Sequence, residues 1–149
     1  MELSVVTTLY KSALYVEEFY RRISTEAEKI TDDYEIIMVD DGSPDNSLEI
    51  ALSFIENDPR LRIIELSRNF GHHKAMMTGL EHANGNLIFL IDSDLEEPPE
   101  LLTQFHSQLI KEDLDVVYGY QEQKRKGGWV ENIAGKLAWW FMNILLPVK

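Results

Sequence analysis

The sequence predicts an α/β fold: a mostly parallel sheet flanked by helices. Three observations support this. Five short apolar runs begin near residues 3, 34, 62, 87 and 115 and alternate with helical patterns, the order that builds parallel sheets covered on both faces. Polar clusters follow several of these runs, where ligands of open α/β sheets bind. The 149 residues are 44% hydrophobic and 10% aromatic, enough for one real core.

Leu3–Leu9 is β-branched and apolar, the first strand. Ser12 can cap the helix that follows, whose Val16, Phe19, Tyr20, Ile23, Ala27 and Ile30 fall on one face. Tyr34–Val39 is the second strand and runs into Asp40-Asp41-Gly42-Ser43-Pro44-Asp45. Ser43-Pro44 suits a helix start, with Leu48, Ala51, Leu52 and Ile55 as its inward face. Arg62–Leu66 is a third strand, and Ser67–Lys74 a polar loop feeding a helix through Ala75, Met76, Leu80 and Ala83, with Gly85 as its terminator. Leu87–Ile91 is a buried fourth strand, Pro99 opens a helix with Leu102, Phe105 and Leu109 inward, and Asp115–Tyr118 is a fifth strand.

Composition narrows the function. Twenty-six acidic against 14 basic residues give a formal charge of −12, which argues against nucleic acid as a partner. The chain has no cysteine, which excludes disulfides and thiolate zinc sites and makes a cytoplasmic setting the default. No signal peptide is recognisable, and no run of about 18 apolar residues could span a bilayer. Lys124-Arg125-Lys126 precede a Trp-rich, helically patterned stretch, 129–146. That stretch reads equally as a helix lying on anionic lipid and as one packing on further protein. The division is therefore 1–128 as core and 129–149 as an appended amphipathic helix.

Asp92-Ser93-Asp94 ends the fourth strand. At period two its carboxylates share one side, where they repel unless a cation joins them; such oxygen sites suit Mg²⁺ or Mn²⁺ shared with substrate phosphate. Asp40-Asp41 reads as turn or ligand site. Arg68, His72 and Lys74 can offer positive charge to a phosphate, although His72 and His73 also suit plain surface positions. No dinucleotide fingerprint, P-loop or nucleophile elbow is present.

Ser4–Tyr10, Val39-Asp40-Asp41-Gly42-Ser43, Ser67-Arg68-Asn69-Phe70-Gly71, Asp92–Glu100 and Asp115–Gly119, in this order, resemble a family-2 glycosyltransferase with the GT-A fold. The similarity is nearest to dolichyl- and polyprenyl-phosphate sugar synthases and covers essentially the whole chain. It implies a nucleotide-sugar donor of the UDP, GDP or dTDP type and a polyprenyl-phosphate or glycan acceptor. Thr8, Tyr10 and Asp41 would then hold the base and its surroundings. Asp92 and Ser93 would lie along ribose and diphosphate, Arg68 and His72 would bind substrate, and Asp94 with Asp92 would carry the metal. Transfer would be inverting and metal-assisted, with Asp92 and Asp94 as the catalytic pair. The resemblance also implies a longer enzyme of which this chain is the nucleotide-binding portion, peripheral at the cytoplasmic face of a membrane and free to form oligomers. Lys11-Ser12 depart from it, since relatives carry Asn-Glu there.

Two rivals remain. A haloacid-dehalogenase-type phosphatase also uses strand-Asp-x-Asp, but after its first strand and with Thr or Val where this chain has Glu96. A non-catalytic nucleotide-binding or scaffold domain needs only the binding half of the site.

Overall fold

β1 (Leu3–Leu9) is the strand on which the sheet is built, paired in parallel with β2 (Tyr34–Asp40) on one side and β4 (Leu87–Leu90) on the other. β3 (Leu61–Glu65) joins the far edge of β2, giving the order β3-β2-β1-β4. The computed structural model describes residues 1–119, and Met1–Val117 form one compact unit. The helices are α1 (Val16–Glu28), α2 (Ser47–Ile55), α3 (His72–His82) and α4 (Leu101–Glu112).

Strand alternation sorts the core into two layers. Leu3, Val5 and Leu9 of β1 and Tyr34, Ile36 and Met38 of β2 face α1, α2 and α4, meeting Phe19, Ile23, Ala51 and Leu102. Val6, Ile37 and Val39 face α3, where Ala75 packs on them. Gly79 lets α3 lie close, because a Cβ there would run into Val6 and Val39. α1 and α4 are joined at the rim by a two-pronged Arg22–Glu100 pair, and the buried Glu26 accepts from Lys29 and Thr103.

Several sequence expectations shift. α1 starts at Val16, not beside Ser12, because the Ser12 hydroxyl takes the Tyr10 N–H and its carbonyl takes those of Tyr15 and Val16. Ser43-Pro44 do not open α2, whose first residue is Ser47. Its inward side is Ser47, Ile50, Ala51 and Phe54, with Leu52 and Ile55 exposed. α4 begins at Leu101 after a turn in which Leu101 N–H bonds Pro98 C=O. Gly85 does not terminate α3; it lies where any Cβ would strike the β1 backbone at Leu3 and Ser4. Asp115–Tyr118 join no ladder, so the sheet has four strands among the described residues. β4 is only half buried: α3 sits over β1 and β2, leaving Ile88 and Leu90 47% and 41% exposed while Phe89 and Ile91 point into the core. The expected helix at 129–149 lies outside the described residues. No helix among those described is long and apolar enough to cross a membrane.

Away from the strand carboxyl ends, the buried Glu35 of β2 holds the α3–β4 connection to the sheet. It accepts from the Ser4 hydroxyl, the Asn84 backbone and side-chain N–H groups, and Arg62 at 2.7 Å. Burial pushes its carboxyl up, but Arg62, Asn84 and Ser4 outweigh burial and hold it below the usual range. A depressed carboxyl adds stability above its unfolded pKa, and that stability fades as pH falls through the folded value. Arg62 is 41% exposed and can turn to water, so the cost of removing Glu35 comes from the Ser4 and Asn84 donors left without their acceptor, about 1–3 kcal/mol. Urea titrations should therefore show Glu35→Ala less stable by about that amount at neutral pH, with the difference shrinking on acidification below the ordinary glutamate range. An unchanged midpoint at neutral pH would contradict this role.

Candidate functional site

Parallel strands in register deliver their carboxyl ends to one edge. Leu9 of β1 lies opposite Asp40 of β2, which lies opposite Glu65 of β3, and Val6 lies opposite Leu90 of β4. The loops leaving β1, β2, β3 and β4 therefore open side by side. Into them fall Thr8 and Tyr10, Asp40-Asp41, Arg68–His72, and Asp92–Asp94.

Asp41 is 2% exposed and points toward the α3 side. Its carboxylate accepts the backbone N–H groups of Phe70 at 2.7 Å and Gly71 at 3.0 Å. Gly42 completes the clamp, since at φ +61° a Cβ would lie 2.6 Å from both Arg68 C and Asn69 N. The loop is thus pressed onto the end of β2. Arg68 stays exposed there, its guanidinium 4.8 Å from the Phe70 ring centre.

His72, the first residue of α3, joins two other predicted site residues. Its Nδ1 is 3.1 Å from the Thr8 hydroxyl and its Nε2 is 3.6 Å from Asp92 Oδ1. An Nε2–H tautomer satisfies both, with Thr8 donating to Nδ1 and the ring N–H facing the carboxylate. α3 has no side-chain cap on its first turn, so its amide dipoles face the same edge.

At the end of β4 the expected alternation holds, with Asp92 and Asp94 exposed and Ser93 3% exposed between them. Ser93 turns inward: its hydroxyl donates to Thr8 C=O at 2.8 Å and lies 3.1 Å from Ser12 Oγ. Asp94 accepts the Glu96 N–H. Glu97 is raised above the usual range by burial and then by the charges of Asp92, Asp94 and Glu96, a local excess of negative charge that a cation would relieve. Among the described residues no three acidic or histidine side chains form a ready-made metal cage. The structure therefore brings together Thr8, His72 and Asp92, and separately Thr8 and Ser93. Tyr10, Asp41, Arg68 and Asp94 share the edge without touching that group directly.

Other polar residues gather beneath the edge. Asp40 is buried, with one carboxylate oxygen accepting Ser43 N–H and the other unpartnered. Burial raises its pKa, and Glu65 and Asp41 add to that. Asp45, Ser43 and Ser47 form a cluster under Tyr10–Ala13; sequence reasoning placed Ser43 and Asp45 in a stretch read as turn, ligand site or helix start and did not single out Ser47. The available signal was an Asp flanked at two residues by serines on each side. A groove of about 280 Å³ lies elsewhere: it is apolar, lined by Leu87, Phe89, Leu102, Phe105 and Val117 beside β4, and takes no part in this edge.

The fold is that of the GT-A glycosyltransferases. Residues 4–144 match the glycosyl transferase family 2 domain, and the chain belongs to that family. A Mycobacterium tuberculosis protein named as a glycosyltransferase is 59% identical over 137 residues, spanning 92% of this chain and 40% of the relative. YkcC of Bacillus subtilis, named an uncharacterized glycosyltransferase, is 40% identical over 127 residues, 85% of this chain and 39% of its own length. The chain thus spans about 40% of these relatives. Among solved structures, S. aureus TarS 1–349 in complex with UDP superposes with a TM-score of 0.63 at 21% identity, covering 85% of this chain and 40% of that 1–349 chain. The Pyrobaculum calidifontis mannosyltransferase PcManGT, in complex with GDP-Man and Mn²⁺, gives 0.63 at 26% identity, covering 72% of this chain and 32% of that one.

Two substitutions test the geometry. Gly42→Ala forces a Cβ into the Arg68–Asn69 backbone from a left-handed conformation, so it should cost about 3 kcal/mol or more by urea unfolding; a loss below about 1 kcal/mol would show that the loop is not clamped as described. Lys11 sits at φ +56°, which strains a lysine by about 1–2 kcal/mol, whereas its ammonium 5.4 Å from the Tyr10 ring returns about 0.5 kcal/mol at an exposed position. Strain wins, and because Asn tolerates this conformation, Lys11→Asn should raise stability by about 0.5–1 kcal/mol. A lower melting temperature would reverse that ranking.

Proposed function

We propose that this chain carries the donor site of an enzyme that moves a sugar from a nucleoside diphosphate to an acceptor. The observation that carries the reading is the joining of Thr8, His72 and Asp92 across β1, α3 and β4 at the same edge as the Asp41 clamp. The names of the superposed complexes, with UDP and with GDP-Man and Mn²⁺, support a nucleotide-sugar donor.

In this reading Tyr10, 45% exposed, offers a ring face to the base, beside the Asp41-fixed loop. The direct base contact that the resemblance implies for Asp41 does not fit its burial; Asp41 serves the base side by fixing the Phe70–Gly71 backbone. Arg68, His72 and the uncapped first turn of α3 face the diphosphate, supplying N–H donors and positive potential where charge accumulates. Ser93 acts from below, fixing the end of β1 through Thr8 C=O.

Asp94, with Asp92, would hold a Mg²⁺ or Mn²⁺. The donor set fits: two exposed hard-oxygen carboxylates and a neighbouring Glu97 raised by burial and then by their charge suit an ion completed by phosphate oxygens. When bound, that ion supplies charge neutralisation for the departing nucleoside diphosphate. Direct attack by an acceptor oxygen inverts the sugar carbon. A polyprenyl phosphate is already ionised and needs little base assistance, whereas a glycan hydroxyl needs a carboxylate base. The polyprenyl-phosphate branch, a longer parent enzyme and a cytoplasmic membrane-surface setting belong to the same proposal, resting on the ordered motifs and on the basic and Trp-rich sequence 124–146.

The test is thermal unfolding with UDP, GDP and dTDP, each with and without Mn²⁺. One of them with Mn²⁺ should raise the melting temperature by about 5–10 °C at a hundredfold excess over Kd, and Asp94→Asn should remove the increase. No shift with any nucleotide would reject the reading.

A further inference from the structure

Asp45 makes none of the contacts proposed for the donor, yet more of the site hangs on it than on any residue assigned above. Its Oδ1 accepts the hydroxyls of Ser43 at 2.6 Å and Ser47 at 2.5 Å and the Ser47 N–H at 3.2 Å, while Oδ2 accepts the Ala13 N–H at 3.2 Å. Burial pushes its carboxyl up, but Ser43, Ser47 and Ala13 more than reverse that and bring it down to about 2. Both serines pass the connection on. Ser43 Oγ accepts Lys11 N–H at 2.7 Å, and Ser47 Oγ accepts Ser12 N–H at 2.9 Å. Ser12 Oγ then takes the Tyr10 N–H and meets Ser93 Oγ, which holds Thr8 C=O.

We propose that Asp45 is a positioning residue for the donor site, setting the Tyr10–Ala13 loop against the end of β4. Capping α2 would account for the Ser47 N–H bond alone. It leaves unexplained the bond to Ala13, 32 residues away, and the two serines oriented to receive the amides of Lys11 and Ser12. Lys11 sharpens the point: its left-handed backbone persists only where its surroundings over-determine it, and the Ser43 hydroxyl that receives its N–H is oriented by Asp45. Neutral Asn cannot replace the carboxylate, because its NH₂ would face an N–H or a hydroxyl hydrogen that Asp45 accepts. The proposal rests on the donor-site reading above and adds that the Tyr10 position is imposed from the β2–α2 connection rather than intrinsic to its own loop.

Calorimetric titration with UDP–Mn²⁺ and GDP–Mn²⁺, at a temperature where every variant is folded, tests this together with amide exchange at Tyr10, Lys11 and Ser12. Asp45→Ala should weaken the nucleotide that the wild type binds by about tenfold, the equivalent of one charge-assisted hydrogen bond. It should also speed exchange at those three amides without altering the β2 core. Asp45→Asn should fall between. Asp58→Ala serves as the control for lost stability alone: Asp58 holds Tyr20 and Arg60 before β3 and should leave affinity unchanged. Wild-type affinity and exchange in folded Asp45→Ala would overturn the proposal while the donor reading stands. An equal loss in Asp58→Ala would also overturn it, reducing Asp45 to a structural brace. If the wild type binds neither, dTDP–Mn²⁺ takes their place in the same titration, and failure of all three rejects the donor reading and the proposal with it.

Discussion

The register of β1 with both its neighbours is the constraint on which the site depends. Because Leu9 stands opposite Asp40 and Val6 opposite Leu90, the end of β1 is flanked at one level by the Asp40-Asp41 turn and by the exit of β4. A slip of one residue would turn the Asp41 carboxylate away from the Arg68 loop and exchange Ser93 with its acidic neighbours. Registry is fixed in turn by burial: Val5, Val6, Ile36 and Ile37 are fully covered, so a slipped strand would expose one layer and bury polar groups in the other.

Above that frame the site is built by side chains that restrain backbone. Asp41 fixes the Phe70–Gly71 turn, Asp45 fixes Lys11–Ala13 through two serines, and Ser93 fixes Thr8 from the far side. Each uses a buried or half-buried oxygen to accept N–H groups or to reach a carbonyl in a neighbouring loop, so the loops are placed without help from regular structure. The surface groups Tyr10, Arg68, His72, Asp92 and Asp94 are left free to meet a ligand. This division explains why neighbours in sequence behave oppositely: at Asp92-Ser93-Asp94 the two acids face outward while the serine between them turns in.

The sequence was legible where period and composition agreed. The four paired strands, the alternation with helices and the inward face of α1 all followed from apolar spacing, and the Asp-Gly and Asp-x-Asp clusters fell at the strand ends proposed above as the donor site. What was not legible depended on partners distant in the chain. Leu87–Ile91 reads as buried throughout, but how far α3 reaches across the sheet is not encoded in that run, so Ile88 and Leu90 stay exposed. Asp115–Tyr118 has strand composition yet forms no ladder. The roles of Asp45, Ser43 and Ser47 were hidden because the amides they receive lie more than thirty residues earlier. Membership of glycosyl transferase family 2 separates the chain from the phosphatases that share strand-Asp-x-Asp, in agreement with the place of the motif after β4 rather than after the first strand.

The central claim is that a nucleoside diphosphate and a divalent ion meet at this edge. Paramagnetic broadening by Mn²⁺, added with UDP or GDP to ¹⁵N-labelled protein, tests it most directly. The amide signals of Thr8, His72 and Asp92–Asp94 should broaden first, while those of Glu35 and Asn84, at the other end of the strands, remain sharp. Broadening centred on the Glu35 end, or spread evenly over the acidic surface, would contradict the account.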